Sequence, residues 1–242
     1  MFANHLLKRR RQQEIMDQAD LDDQRHVQAL QGLERINRWT ASGRLFWPSL
    51  LKAAGLGGSG VLRMLDVATG SGDSPIGLWR KAKRANIPVE ISACDRSLTA
   101  LAHARRRAAE HAACVHFFQR DILAGPLPVV HDVVMCSLFL HHLSEDDTVQ
   151  ALRTMAQAAL RLVLIHDLRR CDLGWWLAYL GTRLLSASPI VHFDGPVSVE
   201  GAYTDAEILG LAERAGMVNA TVSRHWPCRF LLTWWKPFGH AS

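Results

Sequence analysis

From Val61 onward, short apolar runs alternate with segments of helical spacing, and this rhythm constrains the fold more than any other feature. Strands that are apolar throughout must be covered on both faces, which parallel strands joined by helices achieve. Strands are expected near 62–67, 89–94, 115–118, 132–137 and 161–166. Helices fit between them over Pro75–Ala85, Leu98–His111 capped by Ser97, and Asp146–Ala159 capped by Ser144. Thr204 with Glu207 forms a capping-box pattern that opens a further helix, ended by Gly216. Two final strands, about 218–224 and 228–234, are separated only by a short turn at Trp226-Pro227, so they should form an antiparallel hairpin at the sheet edge. The expected fold is α/β, a Rossmann-like, doubly wound, mostly parallel seven-stranded sheet with a reversed edge strand.

Two segments fall outside this rhythm. Residues 1–58 hold no convincing strand; Leu21, Val27, Leu30, Leu33 and Ile36 stand at helical spacing, and the glycines from Gly55 to Gly60 supply a break before the next unit. We therefore expect a helical arm over 1–58, serving as part of a substrate cap, and a binding domain over 59–242. Within that domain 168–203, rich in Trp175, Trp176, Leu177, Tyr179, Leu180 and Leu184, is too apolar for a loop and reads as a lid or pocket wall.

The net charge of +5 is modest and concentrated in Lys8–Arg11 and Arg105–Arg107. Such runs can attract nucleic acid or an anionic surface but are more often solvated, so a small-molecule partner is expected, with at most weak membrane-surface contact. The longest apolar run, Leu173–Leu185, is interrupted by Gly181 and Arg183 and falls short of the roughly 20 residues that span a bilayer. Gln12, Gln13 and Glu14 stand where a secretory signal would be apolar. The five cysteines are scattered without a CxxC pair, which fits reduced thiols of the cytoplasm and suggests no metal site.

Chemistry concentrates in Met64-Leu65-Asp66-Val67-Ala68-Thr69-Gly70-Ser71-Gly72-Asp73-Ser74-Pro75, a strand running into a glycine turn and a helix. Glycines let a ligand approach the backbone closely, and Pro75 suits a first helical turn. A carboxylate at Asp66 gains nothing beside a pyrophosphate but would welcome an ammonium group. Asp95 closes the second apolar strand, where a carboxylate can accept hydrogen bonds from both ribose hydroxyls. Together these describe an adenosyl ligand without phosphates. Each acid also has a local reading, Asp66 as a cap of the turn, Asp95 of the next helix and Asp121 of a surface turn; their joint spacing favours the ligand.

On these residues the chain resembles the class I S-adenosylmethionine methyltransferases, in the style of the ubiquinone and menaquinone methyltransferase superfamily, over roughly residues 60–235. The family's turn has the form acidic-x-Gly-x-Gly-x-Gly, and Ala68 replaces its first glycine. The resemblance implies a cofactor site of Asp66, Ala68, Gly70, Gly72, Asp95 with Arg96, Asp121 and Ile122 at the adenine, and Ser137 and Leu138 beneath the methionine moiety. It implies S-adenosylmethionine as cofactor and a small apolar or aromatic hydroxylated acceptor. The arm and the insertion are also similar to small bacterial methyltransferases of polyketide pathways. O-methylation in secondary or quinone-type metabolism is the first expectation and C-methylation of an activated ring the second.

For an acceptor hydroxyl, an imidazole is the natural proton acceptor. His141, after the fourth strand, is the first candidate and His192, in the insertion, the next; His142 and His166 lie on the same rim but read as turn or packing residues. Two rivals have distinguishing features. A nicotinamide oxidoreductase would carry a glycine where Pro75 stands. A non-catalytic binder of nucleic acid or membrane surface would rest on the Lys8–Arg11 arm and an exposed lid, yet the acidic positions it would not need are intact.

Overall fold

The computed structural model describes residues 6–15, 42–56, 60–127 and 130–237. The helix expected over Leu21–Trp39 lies outside them, as do residues 57–59 of the glycine break. The described elements run α1 (Ser42–Leu56), β1 (Leu62–Val67), α2 (Asp73–Arg84), β2 (Val89–Asp95), α3 (Leu98–Glu110), β3 (Val115–Gln119), β4 (His131–Ser137), α4 (Glu145–Ala158) and β5 (Ala159–Leu168). Then follow α5 (Asp172–Leu185), α6 (Pro189–Gly201), α7 (Asp205–Arg214), β6 (Thr221–His225) and β7 (Arg229–Trp235). Single 3₁₀ turns occupy Ile122–Ala124 and Leu140–His142.

The strand order is β3-β2-β1-β4-β5-β7-β6. Strands β1 to β5 pair in parallel, while β7 runs antiparallel to both β5 and β6. The reversed strand is thus slotted between β5 and the edge strand β6, and the two form the expected hairpin. Covering a parallel sheet on both faces explains the unbroken apolar runs. Met64, Val133, Met135, Leu162, Leu164 and Leu231 point to the face carrying Phe46 and Leu50 of α1 and Leu78 of α2. Leu65, Val134, Cys136, Val163, Ile165 and Leu232 point to the opposite face, covered by Leu152 and Met155 of α4 and Ile208 and Leu211 of α7.

Local chemistry sets the helix starts. The side chain of Ser97 accepts from Ala100 N and that of Ser144 from Asp147 N, as their positions predict. Thr204 and Glu207 make the full reciprocal box, and Glu207 also receives Arg170 at 2.6 and 2.9 Å. In α2 the acid Asp73 lies in the first turn and Lys81, Lys83 and Arg84 in the last, complementing the helix dipole.

Residues 6–15 of the arm form no regular element of length but are clasped to the domain. Arg9 donates to the carbonyls of Gly201, His141 and Leu143 at 2.6, 3.1 and 2.7 Å and lies 3.8 Å over the Tyr203 ring. Arg170 donates to Leu6 O, Arg10 N to Glu200 O and Ile15 N to Asp194 Oδ1. Part of the basic run at Lys8–Arg11 is therefore spent on backbone carbonyls inside the fold. The insertion is helical, as α5 and α6, but its apolar residues divide. Leu173, Trp176, Leu180 and Leu184 are exposed on α5, whereas Ile190, Val191, Val197 and Val199 of α6 are buried.

Candidate active site

The carboxyl ends of β1, β2 and β4 converge on the glycine turn, with Val67 level with both Cys94 and Cys136. Ala68, Gly70 and Gly72 all adopt positive φ, at 53°, 53° and 75°. The two glycines differ in what surrounds them. A Cβ at Gly72 would stand 3.1 Å from Ala104 Cβ and 3.3 Å from Ile76 Cδ1, so this glycine lets the turn approach α2 and α3. A Cβ at Gly70 would meet nothing within 4 Å, leaving that side open for a ligand.

Behind the turn, Asp66 at 1% exposure accepts from Thr69 Oγ1 at 2.6 Å through Oδ2, while Oδ1 has no partner. Burial pushes its pKa up to about 7 against the Thr69 bond, and the charge of Asp95 adds to the rise. Asp95 ties two backbones together, accepting Gly70 N at 2.8 Å and Ser97 N at 2.9 Å on its separate oxygens. Each oxygen retains a further lone pair, so the carboxylate can still accept two hydroxyls. Its local and ligand readings are therefore compatible. The neighbouring Arg96 is exposed, and its carbonyl accepts Gln119 Nε2. Asp121, exposed, caps the 3₁₀ turn by accepting Leu123 N at 2.9 Å, and places Ile122 in the core. Ser137 ends β4 with a buried, unpartnered Oγ; Leu138 adopts φ 54° and donates its N–H to His166 O at 2.8 Å.

The candidate bases are less free than the sequence suggests. His141 is 5% exposed, its Nδ1 donates to Asp167 Oδ1 at 2.6 Å, and its Nε2 lies 3.6 Å from Glu14 Oε1. Burial alone would lower the pKa of His141, but the charge and hydrogen bond of Asp167, reinforced by Glu14, raise it to about 10. Burial would likewise raise Asp167, yet His141 holds it down to about 2. The two carboxylates therefore favour the protonated form of His141, which must shed that proton before it can serve as a base. His192 sits on α6 and donates Nε2–H to Ser186 O at 2.7 Å, across the α5–α6 turn.

Glu14, His141 and His142 offer ligand atoms within 4.8 Å of one another, the one group of metal-ligand type found among the described residues. Spacing could not foresee it, since Glu14 comes from the arm. A metal ion there would require His141 to lose the proton that Asp167 and Glu14 favour. The trio acts here as an ion-pair clasp between the arm and the β4 exit. Two further residues escaped sequence reading. Glu14 gave no signal beyond its charge, whereas Arg229 could have been flagged as a lone cation at the head of the apolar strand β7.

On the insertion, Trp175 stacks on Tyr179 at 5.4 Å and donates Nε1–H to Glu200 at 2.9 Å, while Trp176 stands half exposed. The aromatic cluster therefore joins α5 to α6.

This sheet order, with a glycine turn after β1 and acids at the ends of β1 and β2, has the form of an S-adenosylmethionine-dependent methyltransferase fold. Residues 64–160, less than half of the chain, match the family model described as a methyltransferase domain. Among solved structures it is similar to the S-adenosylmethionine-dependent methyltransferase SibL, with a TM-score of 0.58 and 21% identity over 74% of this chain and 51% of that one. It is also similar to magnesium protoporphyrin IX methyltransferase of Synechocystis PCC 6803 with bound SAH, at 0.55 and 16% over 80% of this chain and 83% of that one. Human N-acetylserotonin methyltransferase in complex with SAM gives 0.59 and 18% over 89% and 56%. The chain thus spans about half the length of SibL. No curated protein matches the sequence significantly. Among the described residues, no helix is long and apolar enough to cross a membrane.

Proposed function

We propose that the chain transfers the methyl group of S-adenosylmethionine to a hydroxyl of a small apolar or aromatic acceptor. The observation that carries the cofactor half is the unpartnered Oδ1 of Asp66 behind the open side of Gly70. A buried carboxylate with one idle oxygen is suited to a primary ammonium, which the methionine end of the cofactor has. Asp95 then accepts the ribose hydroxyls, Asp121 and Ile122 flank the adenine with Arg96 at the rim, and Ala68, Ser137 and Leu138 line the methionine arm.

Bound cofactor supplies an electrophilic methyl on a sulfonium, so the protein's task is to align the acceptor oxygen in line and exclude water. In this reading the arm and α6 close the acceptor side, with Arg9 and Arg170 fixing the arm. An acceptor hydroxyl must also lose its proton. His141, oriented by Asp167, can take it only from its neutral form and with Nε2 released from Glu14. His192 takes no part while it holds Ser186 O. Solved O-methyltransferases, one from Burkholderia thailandensis at 18% identity, are among the similar folds and support oxygen as the methylated atom.

Calorimetry with S-adenosylhomocysteine, followed by methyl transfer from labelled cofactor to a panel of phenols and enols, tests the reading. Asp95→Ala should weaken binding by about 1.5 to 3 kcal/mol, the loss of charge-assisted hydrogen bonds. Equal affinity in both proteins removes Asp95 from the site, and absence of cofactor binding in the parent removes the whole proposal.

A further inference from the structure

Several buried polar atoms without a hydrogen-bond partner share one face of the sheet. Asp66 on β1 is level with Met135 on β4, and Ser137, two residues along, is level with His166 on β5. Across the antiparallel pair, His166 opposes Leu231 and Leu168 opposes Arg229. Paired residues and residues two apart point the same way, so Asp66, Ser137, His166 and Arg229 form a row at the carboxyl ends of the parallel strands. It lies on the face covered by α1, where Phe46 meets the His166 ring edge-on at 6.3 Å.

Arg229 is the anomaly of this row. It is 6% exposed, its Nε and Nη1 lack partners, and no carboxylate among the described residues pairs with it. Burial lowers its pKa to about 10, which still leaves it charged at neutral pH. The nearest opposing charge in effect, Asp167, points to the other face and is committed to His141 and to Leu168 N. His166 is fully buried with both ring nitrogens unpartnered; burial, then the charge of Arg229, hold it neutral with a pKa of about 3. Folded proteins rarely tolerate an unpaired buried cation beside idle polar groups, because desolvation is then uncompensated. An anion in contact with Arg229 would remove the deficit, and a guanidinium matches the planar fork of a carboxylate.

We propose that Arg229, with His166, binds a carboxylate on the methyl acceptor, which makes the acceptor a small apolar or aromatic acid. This rests on the reading of the Asp66 turn as the cofactor site. Three strand spacings, about 14 Å, separate β7 from β1, so the row is long enough for the methionine end at one side and an acceptor anion at the other. The cofactor has a carboxylate of its own, and the experiment must tell the two sources apart.

The full chain, saturated with S-adenosylhomocysteine, is titrated with benzoate, cinnamate and octanoate and with benzamide as an uncharged match, reading thermal protection. At least one acid should protect the parent while benzamide does not. In Arg229→Met that affinity should fall at least tenfold, Arg229→Lys should keep part of it, and affinity for S-adenosylhomocysteine should stay within twofold. Ligand-free Arg229→Met should melt higher than the parent, since an unpaired charge has gone. Protection by none of the acids, equal protection by benzamide, or unchanged protection in Arg229→Met overturns the proposal. Loss of S-adenosylhomocysteine binding in Arg229→Met overturns it too, by assigning the guanidinium to the cofactor carboxylate. Failure of the parent to bind S-adenosylhomocysteine would instead overturn the cofactor reading beneath it.

Discussion

If Asp66 receives the methionine ammonium, cofactor affinity must depend on pH in a definite way. The carboxyl titrates at about 7 in the ligand-free protein, because burial penalises its charged form. Only the ionised form pairs with an ammonium, so below that pH each binding event must also expel a proton. Between about pH 7.5 and 5.5 the dissociation constant should therefore rise about 25-fold, close to 2 kcal/mol, and above neutrality it should level off. Stability of the ligand-free protein should run the other way. The folded pKa lies above the unfolded value of 3.8, so this group's contribution is fully present below about 3.8 and is lost as pH rises through 7. Asp66→Asn keeps a partner for Thr69 while removing the charge. It should flatten the pH dependence of binding, weaken affinity at pH 8 and stabilise the ligand-free protein there. Calorimetry across the pH range with parallel thermal melts reads all three. A parent dissociation constant independent of pH, or the same slope in Asp66→Asn, would refute the assignment of Asp66 to the ammonium.

The two glycines of the turn should separate in their effects. Gly72→Ala meets Ala104 and Ile76 at positive φ and should destabilise by about 1 to 3 kcal/mol in urea unfolding, whereas Gly70→Ala, strained but unobstructed, should lose about 1 kcal/mol and impair cofactor binding instead. Arg9→Met removes three carbonyl contacts from the arm and should cost about 1.5 to 3 kcal/mol in the same assay while leaving affinity for S-adenosylhomocysteine within twofold. A loss below about 0.5 kcal/mol would show that the arm is not held by this clasp.

What the sequence disclosed and what it withheld follow from the range of the interactions involved. Strand β1 and its turn were legible because the whole device lies within Met64–Pro75, where each residue's conformation depends on near neighbours. The caps at Ser97, Ser144 and Thr204 were legible for the same reason, their partners lying three residues away. The state of His141 was not, because it depends on Asp167, which is 26 residues distant, and on Glu14, which is further still. A histidine placed at the right rim by the sheet can be a base or a fixed cation, and the difference lies entirely in contacts that the chain order does not encode. Arg229 shows the opposite failure. Its position in β7 was predicted within a residue, but the antiparallel pairing that turns it inward beside His166 became visible only with the register. The cost of leaving such a cation unpaired is what gives the position meaning, for a group that lowers stability in the empty protein persists most readily where a bound anion restores it.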